Sequence, residues 1–267
     1  MKTLCENFKL FWMDKYTAHF LLLIPQFPNS IAIKDKMNAE NTIKTVIIVA
    51  GGMGRRMQSP IPKQFMMLAG KPVIFHTIEK FLRFDPLVNL IIVLPEESLS
   101  TWETLCHQMN FTANVHIARG GETRFHSVLS ALSMARNDGL IAVHDAVRPL
   151  VSVETIKRVV EAAGKSGAAI PVLPPSDSLR RIAPDGNYPV NRNEYVIVQT
   201  PQIFRSEILL KAYRQEYDPS FTDDASVVQK AGFQITLVEG NPENIKITSP
   251  ADLKMAEFFL QHPTENQ

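Results

Sequence analysis

The sequence predicts a three-layer α/β domain with a mostly parallel central sheet. Short apolar runs alternate with longer amphipathic segments from Val46 onwards, which gives a repeating β-α-β-α order. These apolar runs are continuous rather than alternating, as is typical of parallel strands covered on both faces. Together the two observations imply helices on both sides of the sheet, joined to the strands by right-handed crossovers.

The individual elements follow in chain order. Strands are expected in the apolar runs at 46–50, 90–95, 115–118, 140–145 and 168–173. Helices are expected where apolar residues recur at helical spacing, at 72–84, 98–109, 124–136 and 153–163. After a polar interruption, the pattern continues with helices at 206–213, 224–230 and 250–260 and with strands at 234–238 and 245–248.

The polar interruption at 174–198 has the features of a β-hairpin. A Pro-Asp-Gly turn begins at Pro184 between two extended stretches, and the segment contains Ser178, Arg180, Arg181 and Arg192. One interpretation is a basic arm surrounded by solvent. A two-stranded arm with little apolar surface is barely stable by itself, however, so we expect it to pack on a second subunit and form a homodimer.

Composition excludes several classes of protein. The 267 residues are 45% hydrophobic and 21% charged, which suffices for a folded core. The formal net charge of +1 argues against binding nucleic acid through overall charge. Two distant cysteines, Cys5 and Cys106, predict neither a disulfide framework nor a metal site and fit a reduced cytoplasm. No apolar run approaches the roughly 18 residues of a membrane helix.

Residues 1–44 are expected to be an N-terminal tail, disordered or a product of start-codon choice, and the domain is placed at 45–262. The apolar run at 20–24 is too short for the core of a signal peptide, and no small-residue cleavage site follows it. Met37 precedes the natural beginning of the domain.

A glycine-rich stretch, AGGMGRRM, follows the first expected strand, where open α/β sheets bind ligands. It contains no G-x-x-x-x-G-K-[ST] run, and Met57 replaces the third glycine of G-x-G-x-x-G. A tight turn would explain the glycines alone. Arg55, Arg56 and Lys63 lie nearby and could be solvated surface charges. Because glycine backbone and cations both suit phosphate oxygens, a bound triphosphate is the alternative interpretation.

Three further positions stand out on physical grounds. Asp145 ends the expected strand at 140–145, where it could cap a turn or, beside a triphosphate, bind Mg²⁺. Lys246 falls inside the expected strand at 245–248, where a lysine is costly unless it reaches a polar cleft or an anion. His144, next to Asp145, is a candidate for a base.

Six motifs in order resemble one enzyme family. They are AGGMGRRM…PKQF, GGETRFHSV, VHDAVRP, TPQIF, TDDASVV and EGNPENIKIT, spread over residues 45–260. The chain resembles the 2-C-methyl-D-erythritol 4-phosphate cytidylyltransferases of the non-mevalonate isoprenoid pathway. This resemblance implies a Rossmann-like nucleotidyltransferase fold with a protruding β-hairpin arm. It also implies transfer of CMP from CTP to the polyol phosphate, with release of pyrophosphate.

The resemblance assigns roles to matching residues. Arg56, Lys63 and Lys246 would stabilise charge at the reacting phosphates, and Asp145 would hold Mg²⁺. The family's chemistry does not call on His144, which is therefore interpreted as a structural residue. The nucleotide would contact Ala50, Gly51, Gly52, Gly54, Gly121, Glu122 and Ser127. The acceptor would contact Arg148, Ser178, Arg192, Thr200 and Thr222, with the arm residues supplied by the partner subunit. Without the resemblance, Ser127 would be interpreted as an ordinary serine on a helix face. Thr200 and Thr222 would be interpreted as turn or capping residues.

The sequence departs from the family's common pattern in three places. Glu122 and Asn191 stand where aspartate is common, and Ser178 stands where threonine is common but keeps the hydroxyl. Two other functions remain open. A cytidylyltransferase for another polyol phosphate, such as ribitol 5-phosphate, would share the chemistry and differ in the acceptor pocket. A non-catalytic nucleotide sensor would have no need of cations at the reacting centre.

Overall fold

The computed structural model describes residues 42–51 and 61–262. Its main sheet has eight strands. They are β1 (Ile43–Val49), β4 (Asn89–Leu94), β5 (His116–Arg119), β6 (Leu140–Asp145), β7 (Ala168–Leu173), β10 (Ile197–Val198), β11 (Gln202–Arg205) and β12 (Thr236–Glu239). The short strands β2 (Met67–Leu68) and β3 (Lys71–Pro72) pair with each other, as do β8 (Arg180–Ala183) and β9 (Gly186–Pro189).

The described helices lie between these strands. They are α1 (Val73–Phe84), α2 (Leu99–Gln108), α3 (Arg124–Leu132), α4 (Val153–Ser166), α5 (Ser206–Ala212), α6 (Asp224–Lys230) and α7 (Pro250–Gln261). Most bounds agree with the sequence-based expectations within two residues. The helix expected at 124–136 ends earlier, at Leu132, where Met134 and Ala135 continue only as turns.

The strand order is β10-β7-β11-β6-β1-β4-β5, with β12 also paired to β7. Strands β6, β1, β4 and β5 are mutually parallel, and β12 is parallel to β7. β11 runs antiparallel between β6 and β7, and β10 is antiparallel to β7. The mostly parallel sheet is therefore confirmed. The strand β11, inside the TPQIF motif, was not predicted because it follows directly on the polar interruption.

Two hydrophobic clusters cover the two faces of the sheet, which confirms the three layers. Along β1, Val46 and Ile48 belong to one cluster and Ile47 to the other. The first cluster contains residues of α1, α2 and α4, and the second contains residues of α3, α5 and α6. Because both faces are buried, the strand sequences are continuously apolar.

The expectation of a strand at 245–248 is wrong. This segment is irregular, with Ile247 N–H donating to Val147 O at 2.9 Å and Ile245 N–H to Glu243 O at 2.7 Å. Ile247 is fully buried in a third cluster with Leu150 and Ala256. The alternating apolar residues thus reflect packing beside the loop after β6 and against α7, rather than pairing within the sheet.

Candidate active site

A cavity of about 220 Å³ lies where β1 and β6 end. It brings together many of the predicted site residues: Ala50, Gly51, Lys63, Gly121, Glu122, Ser127, Asp145 and Lys246. Gln64, Thr123 and Arg124 also line it. Gly52, Gly54, Arg55 and Arg56 lie outside the described residues, as do residues 1–41 of the tail expected at 1–44. Ile43 and Lys44, also expected in the tail, belong to β1.

Lys63 is held at the cavity by its neighbours. It begins a short 3-10 helix, Lys63–Phe65, in which Gln64 and Phe65 are buried. The Gln64 Nε2 group donates to the Ala50 carbonyl oxygen at 2.9 Å, which ties this helix to the end of β1. A buried amide anchored to the backbone in this way fixes the position from which Lys63 extends.

The loop between β5 and α3 forms another wall. Gly121 N–H donates to Ser127 Oγ at 3.1 Å, and Ser127 is buried. A Cβ on Gly121 would lie 2.5 Å from the Cβ of His126, so the close approach of this loop to α3 requires glycine. Ser127 is therefore a loop-holding residue within the cavity wall, rather than an ordinary helix-face serine.

Asp145 lies at the centre of a cluster of cations. Its Oδ2 is 2.8 Å from Lys246 Nζ and 3.4 Å from Arg148 Nε, and its Oδ1 is 3.8 Å from Arg124 Nε. The Asp145 side chain is only 10% exposed, whereas that of Lys246 is 41% exposed. Lys246 is thus the member of this cluster that reaches farthest into solvent.

The cations keep Asp145 ionised. Burial by itself would raise the pKa of Asp145, but the charges of Arg124, Lys246 and Arg148 outweigh it and hold the pKa well below its usual range. Arg124 also pairs with Asp224. Burial opposes its charge, yet the charge of Asp224 and its hydrogen bonds raise the pKa of Arg124. The cavity therefore holds fixed charges at neutral pH.

Arg148 and Thr200 stand behind Asp145 and do not line the cavity. Arg148 Nη1 donates to the Asn244 carbonyl oxygen at 2.7 Å, and its side chain is 12% exposed. The Thr200 hydroxyl accepts from Asp145 N–H at 3.1 Å and contacts His144 Nδ1 at 3.1 Å. Both side chains therefore position the end of β6.

His144 has no available ring nitrogen for proton transfer. Nε2 lies 3.0 Å from the Arg148 carbonyl oxygen and Nδ1 contacts the Thr200 hydroxyl, while Phe81 packs edge-on against the ring. Burial lowers the pKa of His144 to about 4. The neutral ring is fully buried, in keeping with the structural interpretation of this residue.

The other acceptor residues lie away from the cavity lining. Ser178 and Arg192 are exposed, and Arg192 Nη1 donates to the Ser176 carbonyl oxygen at 2.7 Å. Thr222 is exposed just before α6, beside a second, smaller cavity that Arg124 also lines. Among the described residues, a single chain thus brings the predicted nucleotide residues together at the cavity, and Ser178 and Arg192 of the arm do not line it.

Sequence reasoning missed Arg124 and Gln64 as site residues. Each lies inside a motif that was read for other positions, GGETRFHSV and PKQF. The charge of Arg124 at the beginning of an amphipathic helix, between Thr123 and the buried Phe125, was the available signal. Nothing in the sequence indicates that its partner is Asp224, since the two lie 100 residues apart.

A mostly parallel sheet whose strands end at a cavity with glycine backbone, lysines and a carboxylate is the arrangement expected of a nucleotidyltransferase. The model of the family "2-C-methyl-D-erythritol 4-phosphate cytidylyltransferase" matches residues 44–262. The chain belongs to this family and is a cytidylyltransferase. No described helix is long and apolar enough to cross a membrane.

Individual relatives agree with the family match. A 2-C-methyl-D-erythritol 4-phosphate cytidylyltransferase of Bacteroides thetaiotaomicron is 49% identical over 217 residues, which cover 81% of this chain and 99% of the relative. One of Porphyromonas gingivalis is 48% identical over 216 residues, covering 80% and 96%. The crystal structure of the Thermus thermophilus enzyme has a TM-score of 0.68 at 32% identity, covering 82% of this chain and all of that one.

The environment of His144 predicts a pH-dependent stability. Because its pKa is lowered to about 4 in the fold, the unfolded chain binds a proton below pH 6.5 that the folded chain does not. Stability should therefore fall as the pH drops from 7 to 4.5, by roughly 2–3 kcal/mol from this residue. Chemical denaturation at the two pH values measures this loss.

The control is His144→Gln, which does not titrate in this range. Its stability should be lower at pH 7, but it should change less between the two pH values. Equal losses in both proteins would show that His144 does not account for the dependence.

Proposed function

We propose that the described cavity binds CTP and that the chain transfers its cytidylyl group to 2-C-methyl-D-erythritol 4-phosphate. The products are 4-CDP-2-C-methyl-D-erythritol and pyrophosphate, an early step towards isoprenoid precursors. The observation that carries the proposal is the convergence of Lys63 and Lys246 on one cavity beside the backbone of Ala50 and Gly51. Fixed cations at that place suit the triphosphate and the charge that develops at its α-phosphate.

The reaction needs no general base. Its nucleophile is a phosphate monoester, whose second pKa lies near 6, so that it is mostly dianionic at neutral pH. This agrees with the engaged ring nitrogens of His144. The attacking phosphate oxygen forms a bond to the α-phosphorus while the bond to the pyrophosphate oxygen breaks. The difficulty is the approach of two anions, which positioned cations overcome.

We assign a role to each residue from its position around the cavity. Lys63 and Lys246 extend from separate walls of the cavity and would stabilise the charge around the α-phosphate, together with Arg56. Gly121, Glu122 and Ser127 form the wall that would hold the cytosine. Arg148, Thr200 and Thr222 are assigned to the acceptor side, where Arg192 and Ser178 of a partner subunit would complete the pocket.

Mg²⁺ is the proposed cofactor, and Asp145 would hold it. The described residues contain no group of three His, Cys, Asp or Glu side chains suited to a metal. One ionised carboxylate fits Mg²⁺ as an ion that it shares with nucleotide phosphates and water. When bound, the ion would neutralise charge on the phosphoryl oxygens. A cytoplasmic location is also proposed, on the grounds of cysteine usage.

Pyrophosphate release from CTP tests the function and the role of Lys63 together. The native chain should release pyrophosphate with 2-C-methyl-D-erythritol 4-phosphate and not with ribitol 5-phosphate. Lys63→Ala should lower kcat by about a hundredfold and raise the KM for CTP much less, because its charge acts mainly on the transition state.

Lys157→Ala, on the exposed surface of α4, is the matched control and should leave both constants unchanged. Equal rates with the two polyol phosphates would contradict the substrate assignment. A rise in KM with an unchanged kcat would instead make Lys63 a binding residue.

We also propose that the arm at 174–198 crosses to a second subunit. The hairpin β8–β9 forms a sheet of its own, and its residues are largely exposed. In the hairpin, Ile182 is 87% exposed and Tyr188 is 41% exposed, whereas Ile197 and Val198, at the end of the segment, pair with β7 in the main sheet. Exposed apolar side chains in a hairpin that pairs with no other described strand favour a protein partner, and a second copy of the chain accounts for the separation of Arg192 from the cavity.

Complementation tests the arm. If Arg192 serves the partner's site and Lys63 its own, a mixed dimer of Arg192→Ala and Lys63→Ala contains one intact site. Random reassortment makes about half the dimers mixed, so activity should recover to roughly a quarter of the native level. The measurement is pyrophosphate release after unfolding and refolding the two variants together.

Each variant treated alone gives the baseline, and Arg180→Ala controls for loss of charge in the arm. Arg180 bonds Asn187 within the hairpin and should not be needed for turnover. Activity that stays at the sum of the baselines, with mixed dimers present, would show that each arm serves its own subunit.

A further inference from the structure

The Arg124 side chain reaches two separate carboxylates. Its Nη1 and Nη2 donate to Oδ1 and Oδ2 of Asp224 at 2.8 and 2.6 Å, and its Nε lies 3.8 Å from Asp145 Oδ1. Asp224 is fully buried, whereas Arg124 is 28% exposed and lines the main cavity. One guanidinium thus joins the carboxylate at the reaction cavity to helix α6.

Three side chains from different parts of the fold, Arg124, Tyr213 and Gln202, hold the N-terminus of α6 by hydrogen bonds, and we call this set the clamp. Besides Arg124 of α3, the Tyr213 hydroxyl donates to Asp224 Oδ1 at 2.7 Å. From β11, Gln202 Nε2 donates to Asp223 Oδ2 at 2.8 Å, and Gln202 Oε1 accepts from Ala225 N–H at 2.8 Å. Thr222 directly precedes this clamp, so its position depends on how the clamp is held.

Stability alone explains this ion pair poorly. Buried ion pairs are often no more stabilising than apolar residues of similar volume, because both charges lose their hydration. What a bidentate arginine adds is geometry, since the rigid fork fixes distance and orientation at once. The pair therefore fits a requirement for a defined spacing between α3 and α6.

We propose that Arg124 is a positioning residue of the transfer reaction. Through Asp224 it sets the segment at Thr222 relative to the Asp145 cluster, and so aligns the acceptor with the nucleotide. This inference rests on the proposed function, in which Thr222 belongs to the acceptor pocket. Acceptor binding and transfer depend on the Arg124–Asp224 pair, and nucleotide binding depends on it far less.

A double-mutant cycle tests the proposal. The variants are Arg124→Lys, which keeps the charge but loses the fork, Asp224→Asn, which keeps the shape, and the two combined. Calorimetry gives the Kd for CTP, and pyrophosphate release gives kcat and the KM for the polyol phosphate. Each single variant should raise KM/kcat for the acceptor by about tenfold to a hundredfold, because small misplacements of a substrate are costly.

The Kd for CTP should stay within about threefold of the native value, and the double variant should be no worse than the poorer single variant. Arg136→Lys is the matched control. Arg136 also makes a two-pronged contact, donating from Nε and Nη2 to Asp138 at 2.9 and 3.0 Å, but both side chains are more than half exposed. Arg136→Lys should leave the Kd for CTP, kcat and the KM for the polyol phosphate unchanged.

Tyr213→Phe decides the question if the cycle variants fold poorly. It removes only the hydroxyl that donates to Asp224 and keeps the ring, which stacks on Phe125 with centroids 4.8 Å apart. It should raise the acceptor KM by about two- to fivefold with an unchanged Kd for CTP.

Two results of the double-mutant cycle would overturn the proposal. One is an equal loss of affinity for CTP and for the acceptor in the single variants, and the other is a double variant whose effect is the full sum of the single effects. An unchanged acceptor KM in Tyr213→Phe would do the same. If the native chain itself releases no pyrophosphate with 2-C-methyl-D-erythritol 4-phosphate, the proposed function is wrong. The native protein, measured beside the variants, therefore separates failure of the proposed function from failure of this proposal.

Discussion

The site is organised around one buried carboxylate that faces several cations. Asp145 ends a fully buried strand. Arg148 approaches it from the loop that follows this strand, and Lys246 and Arg124 approach it from distant parts of the chain. Cations gathered this closely would repel one another without it, and without them burial would raise the pKa of the carboxylate. Their mutual neutralisation lets the fold hold charges ready for a polyanionic substrate in a largely buried place.

The loop that bears Lys246 is placed by hydrogen bonds rather than by the sheet. Gln199 Nε2 donates to the carbonyl oxygens of Asn241 and Asn244, at 3.0 and 3.3 Å. Asn244 Nδ2 donates to the Thr200 carbonyl oxygen at 2.8 Å. Gln199 and Thr200 directly follow the arm, so the base of the arm and the lysine loop form one hydrogen-bonded unit. A movement of the arm would therefore change the position of the loop that bears Lys246.

Local patterns in the sequence predict the elements well, because burial on both faces makes the strands continuously apolar and gives the helices a spaced apolar face. The strand expected at Ile245 and Ile247 was wrong because these residues are buried by packing outside the sheet. These residues alternate like a strand, yet Ile247 packs in a cluster beside α7. Alternation reports which side chains are buried, and it does not report what the backbone is bonded to.

The site was predicted as far as its residues lie within local motifs. Asp145 was singled out because it ends a strand at the edge of the sheet where ligands bind, and Lys246 because a lysine among apolar residues is costly without a partner. The structure brings these two within 2.8 Å of each other. The pairing of Arg124 with Asp224 and the anchoring of Gln64 on Ala50 depend on tertiary contacts, for which the sequence has no local signal. The roles of the arm residues stay predictions that need the second subunit.

The most direct test of the central role of Asp145 is the affinity for CTP of native protein and Asp145→Asn, measured by calorimetry with Mg²⁺ and with a chelator. If the carboxylate balances the cations and takes up the metal, its loss should leave metal-free CTP binding equal or tighter, because Lys246 no longer pairs with it. The same change should abolish most of the gain in affinity that Mg²⁺ gives the native protein. A variant that binds CTP more weakly by the same factor in both conditions would contradict this account.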